Sequence, residues 1–208
     1  VKNKVFAFSN LAALINYSAP FVINFLLSLY LQNIKVLTPA EAGSVLIAAP
    51  AVQAFISPFA GRLSDRFEPQ IIASIGMLMT VIGLILLIFL NSSTRVNYVL
   101  FCLILLGVGF ALFSSPNVNA TMSSVETKYY GIASATLGTM RLTGQMFSMG
   151  ITMLVFAVIL GNHPISPANH HLFLKSTKLI FSILSVLCLG GIFASLARGK
   201  MHGNNNHH

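Results

Sequence analysis

The sequence predicts an all-α membrane protein, a bundle of six transmembrane helices. Three observations support this fold class. Of the 208 residues, 55% are hydrophobic and only 8% are charged, whereas a soluble domain of this size carries about a quarter charged residues. The mean hydropathy is +0.81. The apolar residues are gathered into six long runs, so lipid rather than water is the main solvent that the chain requires.

Each apolar run is long enough to cross a bilayer, because about 20 helical residues span a hydrocarbon layer. Backbone polar groups find no water there, so spanning segments are helices or closed barrels, and these runs lack the alternation of barrel strands. We predict a six-helix transmembrane unit over residues 1–200 and a polar tail over residues 201–208. The predicted spans are 5–31, 43–60, 70–90, 97–115, 131–160 and 178–197.

The first span carries polar side chains on one face of an otherwise apolar helix. Asn10, Tyr17 and Asn24 recur every seven residues and therefore share a helical stripe. Asn16 stands next to Tyr17 in the sequence. Polar groups within a membrane tend to face a cavity or another helix, so Asn16, Tyr17 and Asn24 are candidate cavity residues.

The fourth span ends in a second polar segment, marked by Pro116 and containing Asn117 and Asn119. Two interpretations remain open. The segment is either the end of a helix at the membrane interface or, like the stripe of the first span, part of a cavity. Asn117 and Asn119 are candidate cavity residues on the second interpretation.

The six spans follow a repeated order of character. A polar span, a span rich in small residues and an apolar span are followed by the same three types again. Small residues let membrane helices approach closely, so the second and fifth spans are expected to carry packing faces. A three-plus-three order is typical of transporters built from inverted repeats.

The basic residues predict the orientation of the helices, because cytoplasmic loops carry an excess of Lys and Arg. Seven cations fall on the side of the termini and four on the opposite side, with one inside a span. Both termini are therefore predicted to be cytoplasmic. The seven are Lys2, Lys4, Arg62, Arg66, Lys128, Arg198 and Lys200, and the four are Lys35, Arg95, Lys175 and Lys178.

A densely charged segment, residues 61–69, joins the second and third spans in a chain with only four acidic residues. Pro69 suits the first position of the third helix, and the Glu68 carboxylate faces the positive end of its dipole. Arg62 and Arg66 lie one helical turn apart, where they can brace Asp65 or bind lipid phosphate. A capped, positively charged cytoplasmic turn is the simpler interpretation of the same residues.

These residues also resemble the loop motif of the major facilitator superfamily: glycine, any residue, leucine, a small residue, aspartate and arginine. The match lies between the second and third helices of a six-helix unit, as the motif requires. Residues 16–20, residues 28–32 and the flanking glycines of Arg141 extend the resemblance to the carboxy-terminal half of a fourteen-span drug/proton antiporter of the EmrB/QacA type. The matching motif residues are Gly61, Leu63, Ser64, Asp65 and Arg66.

The resemblance implies two six-helix halves that close alternately around a cavity at the membrane midplane. It implies that Arg62, Asp65 and Arg66 of the cytoplasmic loop motif, which begins at Gly61, form a latch on the cytoplasmic side. The implied partners are the amino-terminal half of the same transporter, the lipid bilayer, hydrophobic or cationic small molecules and protons. The implied location is the plasma membrane.

Arg141 lies about ten residues into the fifth span, where a charge costs roughly 2.5–3.5 kcal/mol on insertion scales. It must therefore have partners, and Gln145 follows on the same helical face. Either Arg141 and Gln145 belong to the cavity, or Arg141 ties the two halves together through carbonyls or hydroxyls. No Asp or Glu lies deep in any span, so the proton carriers of a proton-driven transporter are expected in the other half.

The sequence excludes several other classes of function. It contains no nucleophile elbow, phosphate-cradling loop or metalloprotease helix, so we expect no enzyme and no cofactor. Three histidines, His163, His170 and His171, share one loop, where a solvated loop is favoured over a zinc site and no metal is expected. The cations stand between apolar runs, which fits membrane topology and not nucleic-acid binding.

The sequence and the resemblance together predict membrane transport, as half of a proton-coupled multidrug efflux transporter. Two alternatives stay open. One is a non-transporting membrane module or scaffold that associates with another membrane protein through its small-residue faces. The other is a half-size transporter that acts as a homodimer.

Overall fold

The computed structural model describes residues 2–161, 165 and 167–197, which contain seven α-helices. The predicted polar tail, residues 201–208, lies outside the described residues, as do His163, Arg198 and Lys200. The helices are α1 (Lys2–Leu29), α2 (Pro39–Leu46), α3 (Ala48–Arg66), α4 (Pro69–Ile88), α5 (Val96–Ser123), α6 (Tyr130–Ile159) and α7 (His170–Ala197).

Six helical segments within the described ranges are long and apolar enough to cross a membrane. Helix α1 continues into a π-helical turn, Tyr30–Ile34, and the two form the first span. Helices α2 and α3 together form the second span, Pro39–Ser64, and each remaining span is a single α-helix. These findings confirm the predicted all-α membrane bundle of six spans.

The second span differs from the predicted range 43–60 at both ends and at one internal position. It begins at Pro39, because Thr38 and Glu41 form a reciprocal capping box in which each side chain accepts a backbone N–H of the other. The span is divided at Ile47, four residues after Gly43, because the Pro50 ring cannot donate to Leu46 and crowds its carbonyl.

The fourth span is longer than the predicted range 97–115, because α5 passes through Pro116 and ends at Ser123. The polar segment is therefore not a helix end. Its side chains are bonded to neighbouring helices: Asn117 Nδ2 donates to the Ser9 carbonyl at 3.2 Å, and Asn119 Nδ2 donates to Ser64 Oγ at 3.0 Å. These bonds satisfy amides that would otherwise oppose a continued helix.

The sixth span, helix α7, begins earlier than predicted, at His170 rather than at residue 178. Lys175 and Lys178, which the sequence analysis counted in the outer loop, stand on α7. Long lysine side chains can extend along a helix to the membrane interface, so these two charges do not end the helix. Both lysines therefore lie within the span His170–Phe193 and not in the loop where the charge count had placed them.

The helices are arranged in two groups of three that pack in the same way. Helix α1 packs against α6 and α7, while α5 packs against α3 and α4. The groups meet where α4 contacts α7 and where α1 contacts α5. The contacts stay the same when α1, α3 and α4 are exchanged with α5, α6 and α7, respectively. This is the three-plus-three organisation predicted for half of a transporter.

Helices α3 and α6 are the least covered elements of the bundle. Only 11% of the most apolar window of the second span and 22% of that of the fifth are buried, against 50–56% for the other four spans. The core lies instead between α1, α4, α5 and α7, where Tyr30, Phe113, Phe173 and Phe181 are fully buried. The faces of α3 and α6 are therefore open to whatever surrounds this chain.

Candidate functional site

Arg141 stands in the middle of α6 with an exposed side chain, and its position is set by an aromatic ring of α1. The guanidinium carbon lies 5.0 Å from the centroid of the Tyr17 ring, a cation–π contact. Tyr17 is itself only 8% exposed. Two residues that the sequence analysis proposed separately, one from the first span and one from the fifth, therefore meet at one point.

The Tyr17 ring is fixed from the opposite side by α5. A hydrogen bond of 2.7 Å joins its hydroxyl to Ser114 Oγ, and its ring meets Phe113 edge-on at 6.0 Å between centroids. Sequence reasoning did not identify Ser114 as a partner, although it lies in the polar segment of the fourth span. Because α1, α5 and α6 each contribute a side chain, we call Tyr17, Ser114 and Arg141 the three-helix site.

The surroundings of the three-helix site are partly open. Phe21, one turn beyond Tyr17 on α1, is 48% exposed. Asn24 is also exposed, and its Nδ2 donates to the Pro20 carbonyl at 3.0 Å. Gln145, one turn beyond Arg141, is half-buried. These residues form a mixed aromatic and polar surface that can contact a solute.

The structure places two of the other three candidate cavity residues inside the helix packing. Asn16 is 1% exposed, and neither its Nδ2 nor its Oδ1 has a hydrogen-bond partner among the described residues. Asn117 is fully buried and bonds to α1, while Asn119 bonds to α3. Asn16 and Asn117 thus lie within the helix packing, whereas Asn119 is an exposed residue whose amide is bonded to Ser64 of α3.

The charged segment at residues 61–66 is helical, because α3 ends only at Arg66. Phe67 is extended, Glu68 stands at the cap position and Pro69 is the first residue of α4, as predicted for this proline. The Asp65 backbone lies in the last turn of α3, and its side chain is outside the described part of the chain. The segment is thus a helix end followed by a short connection.

The side chains of this motif face two different environments. Ser64 is 2% exposed: its Oγ donates to the Gly61 carbonyl at 2.8 Å and accepts from Asn119 Nδ2, which ties the motif to α5. Arg62 and Arg66 are exposed and line an open groove of about 550 Å³ beside Phe59 and Leu112. The motif therefore has one buried anchor, Ser64, and two exposed cations that line the groove.

The small-residue faces of the second and fifth spans are used unequally. Gly144 lies directly against the Leu14 carbonyl, and Ser148 is 1% exposed, so this part of α6 packs on α1. A methyl group added at Gly61 or at Gly138 would have no neighbour within 4 Å. Half of the predicted packing surface is therefore unoccupied in this chain.

The described residues contain no group of three or more His, Cys, Asp or Glu side chains placed to hold a metal ion. Of the three loop histidines, His170 and His171 begin α7, and His163 lies outside the described residues. The chemistry that this site offers is noncovalent: one cation, aromatic faces, and amide and hydroxyl groups.

Comparison with known proteins places these features in a wider group. A family model described as the Major Facilitator Superfamily matches residues 9–206. The riboflavin transporter RibZ of Clostridioides difficile is 30% identical over 140 residues, which cover 67% of this chain and 31% of RibZ. The multidrug resistance protein Stp of Mycobacterium tuberculosis H37Rv is 30% identical over 128 residues, 62% of this chain and 24% of Stp.

A third relative is the lincomycin resistance protein LmrB of Listeria monocytogenes. It is 28% identical over 116 residues, which cover 56% of this chain and 25% of LmrB. The aligned part of this chain thus spans between about a quarter and a third of the length of each of these three curated relatives.

Proposed function

The chain belongs to the major facilitator superfamily, a family of transporters and not of enzymes, and we propose that it forms the carboxy-terminal six-helix half of a proton-coupled multidrug efflux transporter. In this proposal the complete protein has fourteen spans, resides in the plasma membrane and expels hydrophobic or cationic compounds. Both termini of the present segment face the cytoplasm. The resistance proteins Stp and LmrB among the relatives support drug export over other transport activities.

The observation that carries the proposal is the exposure of α3 and α6 next to the three-helix site. An apolar helix face that is uncovered in one half of a bundle is suited to packing against another half. The open positions Gly61 and Gly138 allow close approach of further helices. The other half would then cover these faces and enclose Tyr17, Arg141 and Gln145 in a cavity at the level of the membrane midplane.

The proposal assigns the proton carriers to the other half. The four acidic residues of this chain are Glu41, Asp65, Glu68 and Glu126, and all stand at helix ends or in connections. Glu126 is exposed and paired with Lys128 at 2.8 Å. A carboxylate that couples transport to protons must lie within the pathway, and none of these four does.

The experiment that tests the proposal is dye efflux from vesicles that contain the complete translated reading frame. We expect an imposed proton gradient to drive transport of a cationic dye such as ethidium, and a protonophore to abolish it. Riboflavin is the uncharged aromatic compound to test beside it, because RibZ carries that name. Dye movement that is indifferent to the gradient would contradict proton coupling.

A matched pair of variants tests the proposed cytoplasmic latch. Asp65→Asn removes a motif carboxylate, and we expect it to slow efflux roughly tenfold, which corresponds to ~1.4 kcal/mol. Glu126→Gln removes a carboxylate from the exposed α5–α6 connection, outside the motif, and should leave the rate unchanged. Equal effects of the two substitutions would remove Asp65 from the latch.

A further inference from the structure

Among the side chains that the structure describes, no carboxylate forms an ion pair with Arg141. This arginine lies near the centre of the span Thr127–Ile159. Of the four acids, Glu126 is the one that precedes α6, and it pairs with Lys128. This pair lies about 20 Å from Arg141 along the helix axis. Glu41, Asp65 and Glu68 flank α2, α3 and α4. The charge of Arg141 is therefore open to an anion from outside the described residues.

The three-helix site holds the guanidinium in a fixed orientation. The guanidinium carbon lies over the Tyr17 ring, 5.0 Å from its centroid, and Tyr17 is in turn held by Ser114 and Phe113. Stacking on an aromatic face leaves the N–H donors at the edge of the guanidinium free. That edge is a planar fork that matches the two oxygens of a carboxylate.

The space beside Arg141 suits an apolar or aromatic body attached to the anion. Gly138 stands one turn before Arg141 on α6, and a methyl group there would have no neighbour within 4 Å. Phe21 stands one turn after Tyr17 on α1 and exposes 48% of its surface. Charged and aromatic groups are thus presented side by side.

The charge of the ligand follows from the number of cations. Arg141 stands near the centre of the span Thr127–Ile159, and Lys178 also lies within a span, on α7, whereas the three-helix site contains Arg141 as its one cation. A doubly charged phosphate would require a second cation at this site, whereas a single carboxylate is matched by one guanidinium.

We infer that Arg141, held on Tyr17, binds the carboxylate of a singly charged aromatic substrate. The inference rests on the proposed transport function and adds a substrate class to it. Arg141 is then a specificity residue that favours compounds carrying a carboxylate at this point of the cavity. A carboxylate supplied by the other half of the transporter is the competing source of the same chemistry.

The test uses two ligands that differ only in charge, dansylglycine and its neutral amide. Binding of each to the purified complete protein is followed by dansyl fluorescence. We expect Arg141→Gln to weaken dansylglycine binding roughly tenfold or more, because charge-assisted hydrogen bonds are lost, and to leave the amide unaffected. Arg95→Gln removes an exposed arginine just before α5 and is the matched control, with no expected change for either ligand.

Two further variants keep the test independent of folding. Arg141→Lys retains the charge without the planar fork, and should preserve a reduced preference for dansylglycine. Tyr17→Phe retains the ring and removes the hydroxyl bonded to Ser114, so it should weaken dansylglycine binding, and by less than Arg141→Gln does. Thermal unfolding of every variant is measured in parallel, so that a loss of binding by a folded variant is separated from a loss of the folded protein.

The outcomes also separate this inference from the proposed efflux function. If Arg141→Gln weakens both ligands equally, or lowers thermal stability without changing the preference between them, Arg141 pairs with the other half and the inference is overturned. Proton-driven ethidium efflux together with no preference for dansylglycine overturns the inference alone. Arg141-dependent dansylglycine binding without efflux of any dye supports the inference and contradicts the efflux proposal.

Discussion

At the scale of single residues, the polar groups of the first span have different environments although the sequence presents them together. Tyr17 stacks under Arg141, Asn24 is exposed and Asn16 is buried without a hydrogen-bond partner among the described residues. The heptad spacing places Tyr17 and Asn24 on one stripe, whereas Asn16 precedes Tyr17 and points to a different side of the helix, where neighbouring residues bury it. Asn16 therefore carries a cost that Asn24 does not.

We predict that Asn16→Leu stabilises the protein. A buried amide without a partner costs roughly 1–3 kcal/mol, and leucine has a similar volume without polar atoms. The thermal midpoint of the purified protein should rise. Asn24→Leu is the control, because Asn24 is exposed and bonded to the Pro20 carbonyl, and it should change the midpoint little. A lower midpoint for Asn16→Leu would mean that the amide is satisfied in the native protein.

At the scale of helices, close approach depends on glycines that face backbone. A methyl group added at Gly76 of α4 would lie 2.5 Å from the Phe113 backbone nitrogen and 2.7 Å from the Gly109 carbonyl of α5. At equivalent crossings of the two three-helix groups, Gly107 meets the Ala49 carbonyl and Gly144 meets the Leu14 carbonyl. Small residues thus set the distance between helices, as expected in a membrane.

Gly76→Ala should separate α4 from α5 and destabilise the protein. The obstacle is backbone on both sides, which cannot rotate away, so the cost should be roughly 1–3 kcal/mol. Gly190→Ala on α7 is the matched control, because a methyl group there has no neighbour within 4 Å. Thermal unfolding should show a lower midpoint for Gly76→Ala and an unchanged or slightly higher one for Gly190→Ala. Equal midpoints would show that α4 and α5 are not in close contact.

At the scale of the whole molecule, the open faces of α3 and α6 indicate that this six-helix unit acts with further helices. We predict that the 208-residue chain, expressed alone and reconstituted, supports no dye efflux, whereas the complete reading frame does. The physical reason is that the three-helix site lies on an exposed surface and is enclosed only when other helices cover it. Efflux by the isolated chain would favour the half-size homodimer instead.

The number and type of the membrane spans were determined by the sequence alone. Length and hydropathy are properties of contiguous residues, so six apolar runs predict six helices without knowledge of their packing. The superfamily was equally accessible, because residues 61–66 carry its motif in consecutive positions, and the family match confirms it. Helix ends were less accessible: α5 passes through Pro116 because Asn117 and Asn119 find partners on other helices.

Only the tertiary structure decided which polar residues meet. The contacts of Arg141 with Tyr17, Tyr17 with Ser114 and Ser64 with Asn119 each join helices that are distant in the sequence. Spacing along one helix fixes which residues share a face, but the rotation and crossing of packed helices determine what that face contacts. The sequence could therefore name Tyr17 and Arg141 as candidates, but only the fold shows that the Arg141 guanidinium lies over the Tyr17 ring.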